Sequence, residues 1–183
     1  MLVDNQIKEE IKNGNINIKP YNEENISPAA YYFTLGEILL IPEEGQRVSV
    51  VNGPNPTYTK IDISQNPYII KPGEFLLGQT EEELSLENNI GMFIDGRTSI
   101  ARLGLTIHKT ATFVQPGHSS SIITLEIYNT GNMEIELSYK MPIAKGIFFK
   151  SSKPSDKSYK ESGIYPLQKE TMGADLLSFG NNS

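Results

Sequence analysis

After Gly14 the sequence settles into a period of about two. Ile16-Asn17-Ile18, Val48-Ser49-Val50, Lys60-Ile61-Asp62-Ile63 and Glu134-Ile135-Glu136-Leu137 all alternate apolar with polar residues. Such alternation builds strands with one buried face. Longer apolar stretches at Ile90–Ile94, Ile122–Tyr128 and Ile143–Phe149 read as buried central strands. Turn residues interrupt the chain about every ten positions: Gly36, Pro42 to Gly45, Gly53 to Pro56, Pro72-Gly73, Asn88-Asn89, Pro116-Gly117 and Thr130 to Asn132. Many short strands without alternating helices predict an antiparallel sandwich, barrel or jelly roll. One short helix is predicted at the start, with Asp4 as N-cap, Ile7 and Ile11 on one face and Gly14 just past the end.

Composition narrows the function. With 183 residues, the chain is long enough for one sizeable core. Its 16 basic and 22 acidic residues give a net charge of −6, the wrong balance for a general nucleic-acid binder. No cysteine is present, which excludes disulfides, thiolate nucleophiles and Cys-ligated zinc. The opening MLVDNQIKEEIKNGNINI has acidic residues where a secretory leader needs basic ones. No apolar run approaches a membrane span. The expectation is a soluble, cytoplasmic domain over residues 1–150. It is followed by a polar tail over residues 151–183, with five lysines between Lys145 and Lys160. That tail reads either as a solvated terminus, favoured after Gly173, or as a flap carrying cations to an anionic ligand.

The densest group of chemistry-bearing residues runs from Asp95 to Glu126. Gly96-Arg97-Thr98-Ser99 offers close backbone approach, two hydroxyls and a guanidinium, a set suited to phosphate oxygens. Alone, these four residues read as a polar turn leading into a short helical segment. Glu126 sits among Ile122, Ile123, Leu125 and Ile127, where alternation could simply point it to solvent. Arg102 could be an ordinary ion-pair residue. His108 reads as a packed or hydrogen-bonded histidine, and Tyr31 and Tyr32 as sheet residues.

The combination is more specific than its parts. GRTSIARLGL, then His108-Lys109-Thr110-Ala111, then Gln115-Pro116-Gly117, then ITLEIYNTG resembles the dCTP deaminase family of the trimeric dUTPase superfold. The opening IKEEIKNGNINIKP, the segment ISPAAYYFTLG and Lys71 to Leu77 (KPGEFLL) extend the resemblance over about residues 1–150. It implies a mainly β, distorted jelly roll or β-barrel with one or two short helices. It further implies a homotrimer with active sites between subunits, and removal of the 4-amino group of dCTP to give dUTP and ammonia. Glu126 would be the catalytic acid–base, and Thr98, Arg102 and the carbonyl of Ala111 would hold the attacking water. Substrate contacts would come from Arg97, Thr98, Ser99, Thr110 and Thr124, and from Lys157, Tyr159 and Lys160 of the flap. Mg²⁺ would accompany the triphosphate and no protein-bound metal is expected. Zinc deaminases need a P-C-x-x-C element, which a cysteine-free chain lacks. dTTP is the inhibitor that the resemblance suggests, acting near Thr110-Ala111.

Three departures from the family pattern stand out. Gln115 replaces the Asp of D-P-G and cannot act as a base, so triphosphate hydrolysis is expected to be weak or absent. His118-Ser119-Ser120-Ser121 replaces W-x-G with one extra residue, near the deoxyribose, and His118 is expected to be exposed. Ala30-Tyr31-Tyr32 replaces S-x-D. Two other functions compete: a dUTPase-like or bifunctional dUMP-forming enzyme, and a nucleotide-binding sensor without turnover. Retention of Glu126 and Arg102 argues for an enzyme.

Overall fold

The computed structural model describes residues 1–50, 53–163, 165 and 167–176. Helix α1 (Asp4–Lys12) opens the chain. The strands that follow are β1 (Ile16–Lys19), β2 (Ile26–Ser27), β3 (Ala30–Thr34), β4 (Ile38–Pro42), β5 (Tyr58–Asp62), β6 (Tyr68–Ile70), β7 (Phe75–Gln79), β8 (Glu83–Leu86) and β9 (Ile90–Gly96). A short helix, α2 (Thr98–Ala101), leads to β10 (Leu105–Thr106), β11 (Phe113–Val114), β12 (Thr124–Asn129), β13 (Ile135–Leu137) and β14 (Pro142–Lys150). Helix α3 (Tyr159–Ser162) lies in the tail.

Two five-stranded antiparallel sheets carry the fold, in the orders β10-β12-β7-β4-β5 and β11-β9-β14-β3-β2. Two-stranded pairs β1-β8 and β13-β6 complete a distorted jelly roll. The three apolar stretches of the sequence become β9, β12 and β14, each hydrogen-bonded on both sides. The two sheets share one core, with Phe33, Met92, Ile143 and Phe148 from one and Leu39, Leu76, Leu125 and Ile127 from the other. Tyr31 is fully buried in β3, as a sheet residue should be.

Two local expectations change. Val3, not Asp4, occupies the N-cap of α1. The N–H of the buried Leu2 donates to Phe148 O and that of Asp4 to Pro28 O, so the chain turns into the helix one residue early. Gln6 Oε1 then accepts from the Val3 N–H, which satisfies that donor in place of an aspartate cap. At the other end Gly14 takes φ 75°, as a helix stop requires. Val48-Ser49-Val50 alternates but belongs to no strand, and both valines are exposed. The segment has no partner strand to cover, and period alone does not supply one.

At the opposite end of the chain the tail is pinned along the β7 and β12 ladder. Ile122 N–H donates to Gln168 O, and Gln168 Nε2 donates to Thr124 Oγ1 at 2.7 Å. Thr171 donates to Gln79 Oε1 from both its N–H and its hydroxyl, each at 2.7 Å. Gln79 and Thr124 face each other in the β7–β12 register, so one cross-strand pair holds both anchors. Ala174 and Asp175 are tied by their N–H groups to the phenols of Tyr58 and Tyr165. A solvated terminus after Gly173 therefore does not describe residues 174–176, and residues 177–183 lie outside the described residues.

Candidate active site

The alternation of β12 decides where Glu126 points. Leu125 and Ile127 are fully buried in the core, so Thr124, Glu126 and Tyr128 emerge on the other face. That face is not open solvent. It forms the floor of a 630 Å³ cavity, whose walls include Thr110, Ala111, Gln115 and His118 and whose roof includes Tyr159, Tyr165 and Gln168. The volume suits a nucleotide-sized ligand.

Glu126 is fixed at two points. Its backbone N–H donates to Ile107 O, and its Oε2 accepts the Lys109 N–H at 2.7 Å. The Lys109 ammonium lies over the Tyr128 ring, 3.8 Å from the centroid. The 107–111 segment is thus clipped to β12, and Thr110 and Ala111 are carried to the carboxylate's side of the cavity. Among the described lining residues Glu126 is the only carboxylate and Lys109 the only cation.

The tail supplies the opposite wall. Tyr159 stacks on His118 with ring centroids 5.8 Å apart. Tyr159 N–H and Lys160 N–H donate to Pro116 O and Gly117 O, which seats α3 on the 116–118 turn. Burial raises the Tyr159 phenol above its ordinary range, so it is a protonated donor at neutral pH. His118 is buried, not exposed: Tyr159 of the tail stacks on its ring. Desolvation lowers its pKa and keeps the ring neutral, outweighing a hydrogen bond with the Ser121 backbone. Lys160 lines a smaller polar pocket of 210 Å³ that shares His118 with the main cavity. Lys157 is exposed and lines neither.

The structure brings Glu126, Ala111, Thr110, Thr124 and Tyr159 together. It does not bring Arg97, Thr98, Ser99 or Arg102 to them within one chain. The latter lie on and around α2, where Thr98, Ser99 and Arg102 are exposed. Arg97 lies over the Tyr32 ring at 4.5 Å and reaches Pro142 O at 3.5 Å. Just before α2, Asp95 takes His108 Nε2 at 3.4 Å and Lys145 Nζ at 3.6 Å. Burial would raise the Asp95 carboxyl, but the Gly96 N–H, His108 and Lys145 together hold it below the ordinary range. His108 is therefore a hydrogen-bonded histidine, as its sequence context suggests.

Several contacts that shape the cavity carry no sequence signal. Lys109 acts through its backbone N–H, which every residue but proline has. Gln168 and Thr171 anchor the tail from about forty residues or more beyond their partners (Thr124 and Gln79), and no local spacing encodes those contacts.

Comparison with known proteins identifies the family. The family described as dCTP deaminase-like matches residues 1–151. A dCTP deaminase, dUMP-forming, from Nanoarchaeum equitans is 36% identical over 180 residues, covering 89% of this chain and 90% of that protein. The protein of the same name from Streptomyces coelicolor is 30% identical, covering 87% and 84%. The 2′-deoxycytidine 5′-triphosphate deaminase of Agrobacterium tumefaciens superposes with a TM-score of 0.64 at 16% identity. That match covers 82% of this chain and 47% of the Agrobacterium chain, and it bears on the fold. Both curated relatives are named for dUMP as product, which lends no support to the dUTP expected from Gln115. The β architecture, the Glu126 cavity and the match over residues 1–151 converge: this chain belongs to the dCTP deaminase-like family.

Proposed function

We propose that the protein deaminates dCTP by hydrolytic attack at C4, with Glu126 as the acid–base group. The observation that carries this reading is the Glu126 carboxylate, presented on the cavity side of β12 and held there by the Lys109 N–H. Water adds its oxygen to C4 as Glu126 takes one of its protons and passes it to N3. The tetrahedral carbon then bears both hydroxyl and amino groups. Glu126 relays the hydroxyl proton to the amino nitrogen, the C4–N bond breaks, and ammonia leaves a C4 carbonyl. Proton transfer of this kind supplies about 10²–10⁴ in rate.

Arg102 and Thr98 supply the remaining support for the water from α2 of a neighbouring subunit, and Arg97 and Ser99 contact the triphosphate from the same segment. The exposure of Thr98, Ser99 and Arg102, and the position of all four outside the cavity of their own chain, support a homotrimer whose sites form between subunits. Mg²⁺ enters with the triphosphate. Tyr159 closes the roof, while Lys157 and Lys160 place charge near the phosphates. dTTP, resembling the product of the downstream steps, would compete at the same cavity near Thr110-Ala111.

The reaction stops at dUTP in this reading. A second hydrolysis, at the α-phosphate, needs its own base, and Gln115 lines the cavity where a carboxylate would be required. The names of the relatives favour the other product, dUMP. Product analysis separates the two. Protein is incubated with dCTP and Mg²⁺, and ammonia, dUTP, dUMP and pyrophosphate are measured. Ammonia with stoichiometric dUTP is expected. Ammonia with dUMP and pyrophosphate would assign the bifunctional reaction and refute the Gln115 argument. Tight binding with no ammonia would leave a sensor.

A further inference from the structure

His118 is a buried polar side chain that the reaction at C4 does not use. It is 9% exposed, it lines the cavity, and its Nε2 has no hydrogen-bond partner among the described residues. A buried nitrogen left unpaired is destabilising. A core residue with that defect gains from a ligand that completes it. The ring's other side is occupied by a hydrogen bond with the Ser121 backbone, which favours a proton there. Nε2 of the neutral ring is then an acceptor, matched to a hydroxyl donor.

The position of the ring says which hydroxyl. Glu126 and Thr124 sit on β12 beside the 109–111 segment, so a base with its C4 at Glu126 occupies that part of the cavity. Phosphate requires cations: Lys160 in the adjoining polar pocket is one, whereas the neutral imidazole itself, beside Ile122 and Tyr159, offers no charge. Of the groups on a deoxynucleoside triphosphate, the 3′-hydroxyl remains as a donor. Tyr159 covers His118 from the tail, and its ring supplies an apolar cover beside a sugar. The turn below is fixed: Gly117 has φ 75°, and a Cβ there would fall 2.3 Å from Ser158 Oγ and 2.5 Å from Asn88 Oδ1.

We propose that His118 Nε2 accepts the 3′-hydroxyl of the bound deoxynucleotide and that His118 thereby recognises the 3′ position of the sugar. The inference rests on the cavity being a deoxynucleotide site.

The test is equilibrium binding, read by calorimetry in the Glu126→Gln protein, in which turnover is suppressed. dCTP and 2′,3′-dideoxy-CTP, each with Mg²⁺, are titrated into that parent and into the parent carrying His118→Phe or His118→Gln. The parent is expected to bind the dideoxy analogue about five- to tenfold more weakly, the value of one neutral hydrogen bond. His118→Phe should bind both alike, and His118→Gln, which keeps an acceptor, should recover part of the preference. Equal affinities in the parent would overturn the proposal, and that arm needs no change at His118. An unchanged preference in His118→Phe would overturn it as well. If the preference is present but the wild type releases no ammonia from dCTP, the deaminase reading fails and this inference stands.

Discussion

Glu126 and Arg102 lie in regions built by opposite means. Glu126 is on a strand hydrogen-bonded on both sides, its face set by Leu125 and Ile127, and the cavity around it is closed by loop and tail of the same chain. Arg102 ends a four-residue helix on an exposed surface, and nothing in its own chain leads it to the cavity. The cavity contains a carboxylate and the groups to hold a base, yet its one cation among the described lining residues, Lys109, lies over the Tyr128 ring. The α2 segment carries Arg97, Arg102 and the hydroxyls of Thr98 and Ser99, yet it lines neither of the two cavities described above. Each region is deficient in what the other offers, and this is the physical case for a site completed by a second subunit.

The comparison can be broken in graded ways. The largest effect belongs to Glu126→Gln, which keeps shape but removes the proton carrier. Ammonia release should fall by about 10²–10⁴, with nucleotide affinity within about threefold. Retained turnover would remove Glu126 from the mechanism.

A smaller effect is expected at the roof. Thr171→Val deletes the buried hydroxyl that donates to Gln79 Oε1, a loss of about 1–2 kcal/mol in docking the tail. KM for dCTP should rise about tenfold with kcat little changed, because the tail closes the cavity without touching C4. A kcat loss equal to that of Glu126→Gln would instead place the tail in the chemistry.

The smallest effect marks a region outside both. Glu10 on α1 is buried, with Lys150 at 2.5 Å and Asn15 at 2.7 Å. Desolvation would raise its carboxyl, but Lys150 and Asn15 outweigh it and the net shift is downward. A lowered folded pKa stabilises the protein above the unfolded value, near about 4.3, and that stability is lost as pH falls through the folded value. Glu10→Gln should therefore cost about 1 kcal/mol at neutral pH, with Lys150 partly exposed and screened. In urea unfolding the cost should vanish in acid, and specific activity should not change. A cost that persists in acid would show the pair to be irrelevant.

Much of the scaffold was legible because burial and period agree. Ile90 to Ile94, Ile122 to Tyr128 and Ile143 to Phe149 became the doubly bonded strands β9, β12 and β14, and Gly14 stopped the first helix. Val48 to Val50 misled because alternation records a two-faced pattern but not a partner. His118 misled because a polar residue in a serine-rich loop reads as exposed, whereas Tyr159, forty-one positions on, covers it. The face that Glu126 takes was not legible from its strand, which allowed either. The clip from Lys109 was not legible at all, since it is a backbone contact made by a side chain's neighbour.

The most direct test of the split site is subunit mixing. Glu126→Gln and Arg102→Ala are each prepared as inactive proteins, then unfolded or dissociated together and reassembled in equal amounts. If the carboxylate and the guanidinium come from different chains, some interfaces pair an intact Glu126 with an intact Arg102. Ammonia release from dCTP should then recover to about a quarter of the wild-type value, the statistical share of such interfaces in a cyclic trimer. Activity that stays at the level of the separate variants would contradict the account and place both groups in one subunit.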